Sequence, residues 1–356
     1  MPAPRLRSAL VAATLVAGCN TQYENPFADT SPTLAPRADA TVVYTSNGYA
    51  ARPGSPRDLF ALASAGGAPT RLTFCNNDSR RCDAVEAAPA PDRMRIALRR
   101  VETDTDKDGR LTPADGESLL VVDLSRGVEG GILQNNAKVS GIDWAVTGDV
   151  LVYSAAGEGG FEDLYRADPN GQNTRNLTTC PTPQPVPPTC DPRTRERRPR
   201  IDPSGSAAVY ERIDASGKGQ VWFFSSTGAQ VRVTAGGEGA EPLAGTPYVV
   251  GSDADPDYSP DGRSVVFRRL TATGNGGLGT WDLMTARLDG SGLTTIVTGP
   301  AFRGAPDWGS RGIVFPETDT AAGATRLVLV QADGSGRQAL VTLGSSFEIS
   351  YPRWLP

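Results

Sequence analysis

Short apolar runs alternate with tight turns along most of the chain after residue 40. The clearest copy covers residues 255–267, where a Pro-Asp-Gly turn at 260–262 separates Tyr258 from the apolar run 265–267. An extended segment, a tight turn and an apolar segment in this order are typical of a β-hairpin. Weaker copies of the pattern occur around residues 88–98, 143–153, 199–210 and 306–315.

Further predicted strands follow each hairpin. A further strand comes next, then a glycine turn, then a last short strand that usually ends in threonine. The further strands cover residues 163–168, 220–225, 281–289 and 326–333. Four short strands per unit, repeated about every 50 residues, are typical of the blades of a β-propeller.

The two ends of the repeat region are incomplete units that complement each other. Residues 351–356 contain half of the hairpin pattern, and residues 41–73 contain the strands that this half lacks. We therefore expect the C-terminal strand to be the innermost strand of the first blade, which leaves no open sheet edge between the first and last blades. Five internal copies and one composite copy predict an all-β, six-bladed propeller rather than a seven-bladed ring or a β-sandwich.

The repeat resembles that of TolB-type six-bladed propellers, whose units contain Pro-x-Trp-Ser-Pro-Asp-Gly before an apolar strand. The match is best at Pro256-Asp257-Tyr258-Ser259-Pro260-Asp261-Gly262, and the resemblance covers residues 41–356. It implies the propeller fold. TolB proteins carry an α/β domain before the propeller, whereas this sequence has a short segment there, so we do not transfer a Tol–Pal role.

The first 19 residues are typical of an exported lipoprotein. Arg5 and Arg7 precede a short apolar run that ends in Leu15-Val16-Ala17-Gly18-Cys19, and this ending resembles the bacterial lipobox. The resemblance implies a signal peptide over 1–18 and lipidation of Cys19; the alternative is an ordinary secretory signal. Several acyl chains on one cysteine would anchor the protein stably.

The residues after Cys19 indicate how the propeller is tethered and to which membrane the protein is sorted. Residues 20–40 are rich in Thr, Ser, Pro, Ala and Asn, a composition that predicts a flexible tether from Cys19 to the propeller. Asn20 is not aspartate, which under the sorting rule of enteric bacteria implies the outer membrane, on its periplasmic or surface side. No later apolar stretch reaches the roughly 20 residues that span a bilayer.

The other four cysteines form two close pairs, Cys75 with Cys82 and Cys180 with Cys190. An exported protein meets an oxidising compartment, so we expect two local disulfides. The alternative, a metal site of four thiolates, lacks the spacing of paired C-x-x-C knuckles.

An acidic insertion over 104–117 separates the first two apolar strands of the second blade, 96–101 and 118–123. It resembles the EF-hand calcium loop, with Asp at positions 1, 3 and 5 and Gly at position 6. The candidate Ca²⁺ ligands are Asp104, Asp106, Asp108, the carbonyl of Arg110, Thr112 and Asp115. Glu117 is a possible substitute for Asp115, and the simpler alternative is a solvated acidic turn.

The composition excludes several classes of catalytic and binding site. The sequence has no histidine, which excludes a histidine general base, a His-containing triad and a histidine metal ligand. The net charge is −5, so a general role in nucleic-acid binding is not expected. The G-x-G-x-x-G match at 274–279 precedes a strand-like segment, and we therefore expect a hairpin loop rather than a nucleotide site.

Charged residues recur where the predicted innermost strands begin. The six equivalent positions, which we call the rim positions, are Ala88, Asp143, Arg200, Asp257, Asp307 and Arg353. We expect them to cluster at one end of the channel, either as Asp–Arg pairs that stabilise the ring or as a mixed-charge surface for a partner. A basic run stands just before the predicted fourth blade, and it is either a solvated loop or a patch for acidic partners; its members are Arg193, Arg195, Arg197, Arg198 and Arg200.

Together these features predict a lipid-anchored, extracytoplasmic propeller that binds an envelope protein and performs no catalysis. The alternatives are a glycan-binding module, a scaffold of a Tol-like complex, and a propeller lyase or hydrolase that works without histidine.

Overall fold

The computed structural model of the protein describes residues 41–48, 55–73, 75–77, 80–112, 115–124, 128–137, 139–157, 160–178 and 193–356. Within these ranges there is no α-helix, and accordingly no helix long and apolar enough to cross a membrane. The predicted signal peptide, Cys19, the tether and the pair Cys180/Cys190 lie outside the described residues.

The strands, numbered in chain order, fall into the predicted repeat. The first thirteen are β1 (Val42–Ser46), β2 (Asp58–Leu62), β3 (Thr70–Arg71), β4 (Asn76–Asn77), β5 (Arg80–Arg81), β6 (Asp83–Pro89), β7 (Arg95–Val101), β8 (Glu117–Asp123), β9 (Val128–Ala137), β10 (Val139–Trp144), β11 (Leu151–Ala156), β12 (Glu162–Ala167) and β13 (Arg175–Asn176). The others are β14 (Arg195–Ile201), β15 (Ala207–Ile213), β16 (Gly219–Ser225), β17 (Gln230–Arg232), β18 (Asp253–Tyr258), β19 (Ser264–Ala272), β20 (Thr280–Arg287), β21 (Thr294–Val297), β22 (Phe302–Arg303), β23 (Asp307–Gly309), β24 (Gly312–Asp319), β25 (Ala324–Val330), β26 (Gln338–Gly344) and β27 (Ile349–Trp354).

Six antiparallel sheets form the six blades, as the repeat predicted. From the channel outward the second to fifth blades are β6–β9, β10–β13, β14–β17 and β18–β21. The sixth blade is β22 and β23, which both pair with β24, followed by β25 and β26. Its innermost strand is thus broken between Arg303 and Asp307.

The first blade is the composite unit. Its order is β27, β1, β2 and β3, so the C-terminal strand supplies the innermost position. The Leu355 N–H donates to the Thr41 carbonyl at 2.8 Å. In the third blade the Ala145 N–H donates in the same way to Val150 across a covalent turn. The hydrogen bond therefore replaces a turn where the chain is not continuous, and the predicted ring closure is confirmed.

Apolar packing between neighbouring blades holds the ring together. One cluster joins the first and second blades through residues such as Leu59, Ile96 and Leu98, and others join the sixth blade to the first and the fifth to the sixth. These side chains are buried because successive residues of a strand face opposite neighbouring blades. Each large apolar side chain buried in this way stabilises the ring by roughly 1.5–3 kcal/mol.

The connections divide the disc into two faces. On one face, which we call the turn face, short turns join the innermost strand of a blade to its second strand: 90–94, 145–150, 202–206, 259–263 and 310–311. The opposite face, the loop face, carries the connections 47–57, 72–82, 102–116, 177–194 and 233–252. Every long insertion of the chain is therefore on the loop face.

Candidate functional site: the mouth of the central channel and the acidic loop

The rim positions lie together at the turn-face end of the channel. The prediction that they begin the innermost strands is wrong in five blades, where pairing with the second strand starts four or five residues earlier and the rim position is the penultimate residue; in the sixth blade Asp307 begins β23. A depression of about 210 Å³ opens at this end of the channel, and Asp143, Asp257, Asp307 and Arg353 line it. Arg200 lies beside it, with its Nε 3.6 Å from Oδ1 of Asp257. Aromatic and proline residues complete the wall of the depression: Trp144, Tyr258, Trp308, Trp354, Pro89, Pro91, Pro203, Pro260 and Pro356. We call this depression the channel mouth.

Three rim carboxylates each accept a backbone hydrogen bond from the next blade. Oδ2 of Asp143 accepts the Ile201 N–H at 2.8 Å, Oδ2 of Asp257 accepts the Trp308 N–H at 2.6 Å, and Oδ2 of Asp307 accepts the Trp354 N–H at 2.8 Å. An innermost strand has no further strand on its channel side, so these amides need another acceptor. The aspartates supply it and fasten adjacent blades.

The other three rim positions carry no carboxylate. Arg353 precedes the blade in which Pro89 stands at the amide position, and proline has no N–H to satisfy. Ala88 and Arg200 carry no carboxylate for the amides of Trp144 and Tyr258. The three rim aspartates therefore each face an amide of the next blade, but the presence of an amide does not by itself decide which residue occupies a rim position.

The rim residues also pair with one another. Nη1 of Arg353 lies 3.3 Å from Oδ1 of Asp307, and Arg200 faces Asp257. Both arginines are only 3% exposed, whereas Asp143 and Asp257 are half-buried, so the carboxylates are the more accessible part of the mouth. The expected Asp–Arg pairs are present, and the acidic side of each still reaches the depression.

A buried cluster closes the channel beneath the mouth. Glu86 is fully buried, and its carboxylate lies 2.5 Å from Arg99, 2.9 Å from Arg353 and 3.1 Å from Arg198. Arg99 in turn binds Glu117 at 2.8 Å. A single carboxylate thus links arginines from three other strands, β7, β14 and β27.

The pKa values of Glu86 and Asp257 are shifted in opposite directions. Burial alone would raise the pKa of Glu86, but the guanidinium groups of Arg99, Arg198, Arg353 and Arg200 lower it to about 2. At the mouth, burial and then the nearby Asp307 carboxylate raise the pKa of Asp257 to about 8. Glu86 is therefore a permanent anion, while Asp257 changes its charge close to neutral pH.

Backbone bulges direct a second ring of side chains into the channel. Arg198, Asp255 and Tyr351 have φ angles of 55°, 49° and 45°, and they stand two residues before a rim position in their strands. The pairing of each of these strands shifts register at this point. A left-handed residue at a bulge turns the next side chains toward the axis. Arg198 consequently stacks on Tyr351, with its guanidinium carbon 4.6 Å from the ring centre, and pairs with Asp255 at 3.2 Å.

The prediction that the arginine run is a solvated loop is wrong for most of its members. Residues 195–201 are the innermost strand β14, and Arg198 and Arg200 are buried in the channel. Carboxylates on other blades, Glu86 on the second and Asp255 on the fifth, compensate their charge and remove the reason for solvent exposure.

The acidic insertion joins β7 to β8, the second and third strands of its blade, and projects from the loop face. One carboxylate oxygen each of Asp104, Asp106 and Asp108 lies within 4.8 Å of the others. Gly109 has a φ of 84° and donates its N–H to Oδ2 of Asp104 at 2.8 Å, which curls the loop around the three acids. Oδ1 of Asp104 is buried and has no hydrogen-bond partner among the described residues.

The other predicted ligands have different surroundings. Asp115 is 3% exposed, and its oxygens accept the N–H groups of Thr105 at 2.8 Å and Thr112 at 2.9 Å. The Thr112 hydrogen bond is the largest cause that lowers the pKa of Asp115 to about 2. Asp115 thus braces the loop, while Arg110 remains exposed at its tip. Glu117 is not a substitute ligand, because strand β8 directs its carboxylate to Arg99.

The disulfide between Cys75 and Cys82 is confirmed, with 4.6 Å between the two Cα atoms. It closes the small hairpin β4–β5 on the loop face, and both cysteines pack against the apolar cluster between the first two blades. The G-x-G-x-x-G segment is the predicted hairpin loop, here between β19 and β20.

Sequence reasoning missed the connection 233–252. It covers the loop-face side of the channel between the fourth and fifth blades, where the Tyr248 hydroxyl donates to Glu211 at 2.8 Å. Gly237 and Gly251 fasten it, since a Cβ on Gly237 would lie 2.7 Å from the Cα of Gly251. Five glycines within 20 residues were the available signal.

Comparisons with known proteins bear on the fold. No protein-family model and no curated protein matches the sequence. TolB from Acinetobacter baumannii superimposes with a TM-score of 0.61 at 16% identity, over 89% of this chain and 67% of that chain. A putative TolB from Agrobacterium tumefaciens gives 0.54 at 15% identity, over 89% and 99%. A prolyl endopeptidase gives 0.50 at 11% identity, over 87% of this chain and 50% of its own.

These superpositions, at low sequence identity, establish the fold of the chain. They do not establish its activity, because one fold serves many functions. The matches cover most of the chain and agree with the six sheets and the closing strand described above. The chain therefore has the six-bladed β-propeller fold of the TolB structures.

Proposed function

We propose that the protein is a non-catalytic binding module, anchored by lipid at Cys19 in the bacterial cell envelope, and that a protein partner docks at the channel mouth. The observation that carries this proposal is the concave mouth itself, with accessible carboxylates on its floor and aromatic and proline side chains on its wall. Rigid apolar walls around a few polar groups are typical of binding sites.

A binding role fits the chemistry of the mouth better than catalysis. The rim carboxylates, Asp257 included, are held by backbone amides and arginines, which limits their freedom to act on a substrate, and the sequence contains no histidine that could pair with them. We therefore propose no reaction at this site, although a prolyl endopeptidase shares the fold.

A protein partner is preferred over a glycan. The indole N–H of Trp144 donates to the Ala88 carbonyl at 2.8 Å, and that of Trp354 donates to Gly312 at 3.0 Å. These donors are engaged inside the protein, so the two indoles present ring surface rather than free N–H groups to a partner. Such a wall suits the side chains of a peptide more than the hydroxyl groups of a sugar.

We also propose a structural Ca²⁺ ion in the acidic loop. Asp104, Asp106 and Asp108 bring three hard oxygen ligands together, and the Arg110 carbonyl and Thr112 are the further candidates. The role is structural because these ligands come from one loop, which is on the opposite face from the mouth.

Two variants of the mouth test the docking proposal. Asp257→Asn with Asp307→Asn removes both carboxyl groups but keeps an oxygen for the amides of Trp308 and Trp354. Arg200 and Arg353 still face Glu86 at 3.9 and 2.9 Å, so the fold should persist. Capture of partners after mild crosslinking in envelope membranes should fall. Asp289→Ala with Asp333→Ala is the matched control, because it removes two exposed charges on the same face away from the mouth. Equal capture by both double variants would contradict docking at the mouth.

The anchor has its own test. Cys19→Ala should release the protein from membranes or leave an unprocessed precursor. Normal processing and unchanged membrane fractionation of this variant would contradict lipidation.

A further inference from the structure

The point where the chain enters the propeller lies on the turn face. Val42 begins β1 opposite Trp354, and Thr41 is held to Leu355 by the 2.8 Å hydrogen bond that closes the first blade. Trp354 and Pro356 line the channel mouth. The segment that precedes Thr41 therefore departs beside the mouth.

We infer that the lipid anchor holds the turn face toward the membrane and the loop face away from it. This inference rests on the proposed lipidation of Cys19. It adds an orientation to the proposed function: the partner would be captured in the space between the propeller and the bilayer, so it is itself associated with the membrane.

Chain dimensions support this orientation. Twenty-one residues separate Cys19 from Thr41. A flexible chain of this length has an r.m.s. end-to-end distance of about 25 Å, although it can extend further. With the turn face toward the bilayer, no part of that distance is needed to pass around the disc.

The opposite orientation requires a detour. From β1 the tether would pass β2 and β3, about 10 Å at the spacing of adjacent strands, and then cross the thickness of the disc. That thickness is about 23 Å for a strand of seven residues such as β15. This path is longer than the r.m.s. end-to-end distance of the tether, even without the further distance to the bilayer. The opposite orientation therefore stretches the tether, which costs conformational entropy.

The turn face carries exposed charges of both signs. Asp261 and Asp289 stand beside Arg263 and Arg287, so the charge of this face neither strongly attracts it to an anionic bilayer nor strongly repels it. The length of the tether therefore sets the gap in which a partner could reach the mouth.

Fluorescence energy transfer tests the orientation with two matched sites on the fourth blade. Ser204 on the turn face and Ser216 on the loop face are both exposed, and each contacts the aspartate of its own turn, Asp202 or Asp214. A donor dye would be attached to Ser204→Cys or Ser216→Cys in the full lipidated chain without reductant. The protein would be reconstituted in phosphatidylethanolamine–phosphatidylglycerol vesicles that contain a headgroup-labelled acceptor lipid.

The expected result is a larger loss of donor fluorescence at position 204 than at position 216. Equal transfer, or greater transfer at position 216, would overturn the orientation while leaving the anchor intact. Flotation of the same vesicles separates the two proposals: if the wild-type chain does not float with them, the lipidation has failed and the orientation falls with it. Doubling the tether should reduce the difference between the two sites.

Discussion

The turn face and the loop face are built on the same strands and differ in what connects them. Short, similar turns follow the innermost strands on the turn face, whereas the loop face carries a disulfide hairpin, an acidic loop and the connection 233–252. The repeat constrains the turn face because each turn must return the chain into the same ladder. The loop face lacks that constraint and accepts insertions, as surface connections commonly do.

The central channel contains one region that follows the sequence repeat and one that does not. Its mouth is formed by rim positions that recur in every blade, and beneath it a buried ion cluster centres on Glu86. Three rim carboxylates of the mouth accept amides of the next blade. The cluster instead depends on the particular charged side chains that β6, β7, β14 and β27 supply, because equivalent positions of other blades carry different residues. The following substitutions and conditions distinguish these regions.

The largest effect is expected at Glu86. Glu86→Gln leaves the buried guanidinium groups of Arg99, Arg198 and Arg353 without their shared counter-charge, and breaking a buried pair costs roughly 3–5 kcal/mol. Urea denaturation followed by tryptophan fluorescence measures the free energy of unfolding. Asp289→Asn, an exposed turn residue, is the control and should change it by about 0.5 kcal/mol or less. A loss below about 1 kcal/mol at Glu86 would show that the cluster does not hold the blades together.

Calcium should stabilise the loop face selectively. At a hundredfold excess over its dissociation constant the ion contributes about 2.7 kcal/mol and raises the melting temperature. Asp106→Ala with Asp108→Ala should abolish the shift, whereas Asp261→Ala on the turn face should preserve it. Identical melting temperatures in millimolar Ca²⁺ and in chelator would exclude the site.

Removing the loop-face disulfide should have a similar or slightly smaller effect. Cys75→Ser with Cys82→Ser opens a short loop and should lower the free energy of unfolding by about 2–3 kcal/mol. Non-reducing peptide mapping should also find Cys180 bonded to Cys190, which stays a prediction. A crossed pairing between the two cysteine pairs would contradict the local pairing and the blade boundaries predicted from the sequence.

The last expected effect is a change in slope rather than a fixed loss of stability, and it concerns the pH dependence of stability at the mouth. The pKa of Asp257 is raised to about 8 in the fold, against an ordinary value near 4 in the unfolded chain, so the folded state retains this proton longer. The stabilising contribution is complete below about pH 4 and is lost as the pH rises to 8, by at most about 1.4 kcal/mol per pH unit. Asp257→Asn should flatten this slope between pH 6 and 8. An unchanged slope in the variant would assign the proton to another buried acid, such as Glu196, whose burial raises its pKa to about 7.

The sequence predicted the parts of the fold that repeat. The Pro-Asp-Gly hairpin at 259–264 and its weaker copies identified the blades, and the half-unit at 351–356 identified the closing strand. Asp143, Asp257 and Asp307 were found as rim residues because they recur at one position. Their contacts with amides of the next blade were not predicted, since a contact between blades depends on the closed ring.

Features without a repeat were predicted poorly. Glu86 and Arg198 stand two residues before the rim positions, and alternation along a strand would have placed them in the channel. The arginine run was instead assigned to a loop, because single-sequence reasoning weighs charge as a sign of exposure. The carboxylates that compensate it come from distant strands. The acidic loop was found because its ligand spacing is local, while the bracing role of Asp115 required the folded loop.

The central claim is that the channel mouth on the turn face binds the partner. A photo-crosslinking amino acid placed at Ser204, beside Pro203 of the mouth, or at Ser216 on the loop face of the same blade tests it directly in intact cells. Position 204 should form one discrete crosslinked product that is lost when Asp257→Asn and Asp307→Asn are combined, and position 216 should not form it. A discrete product from position 216 alone, unaffected by the mouth variants, would contradict the account.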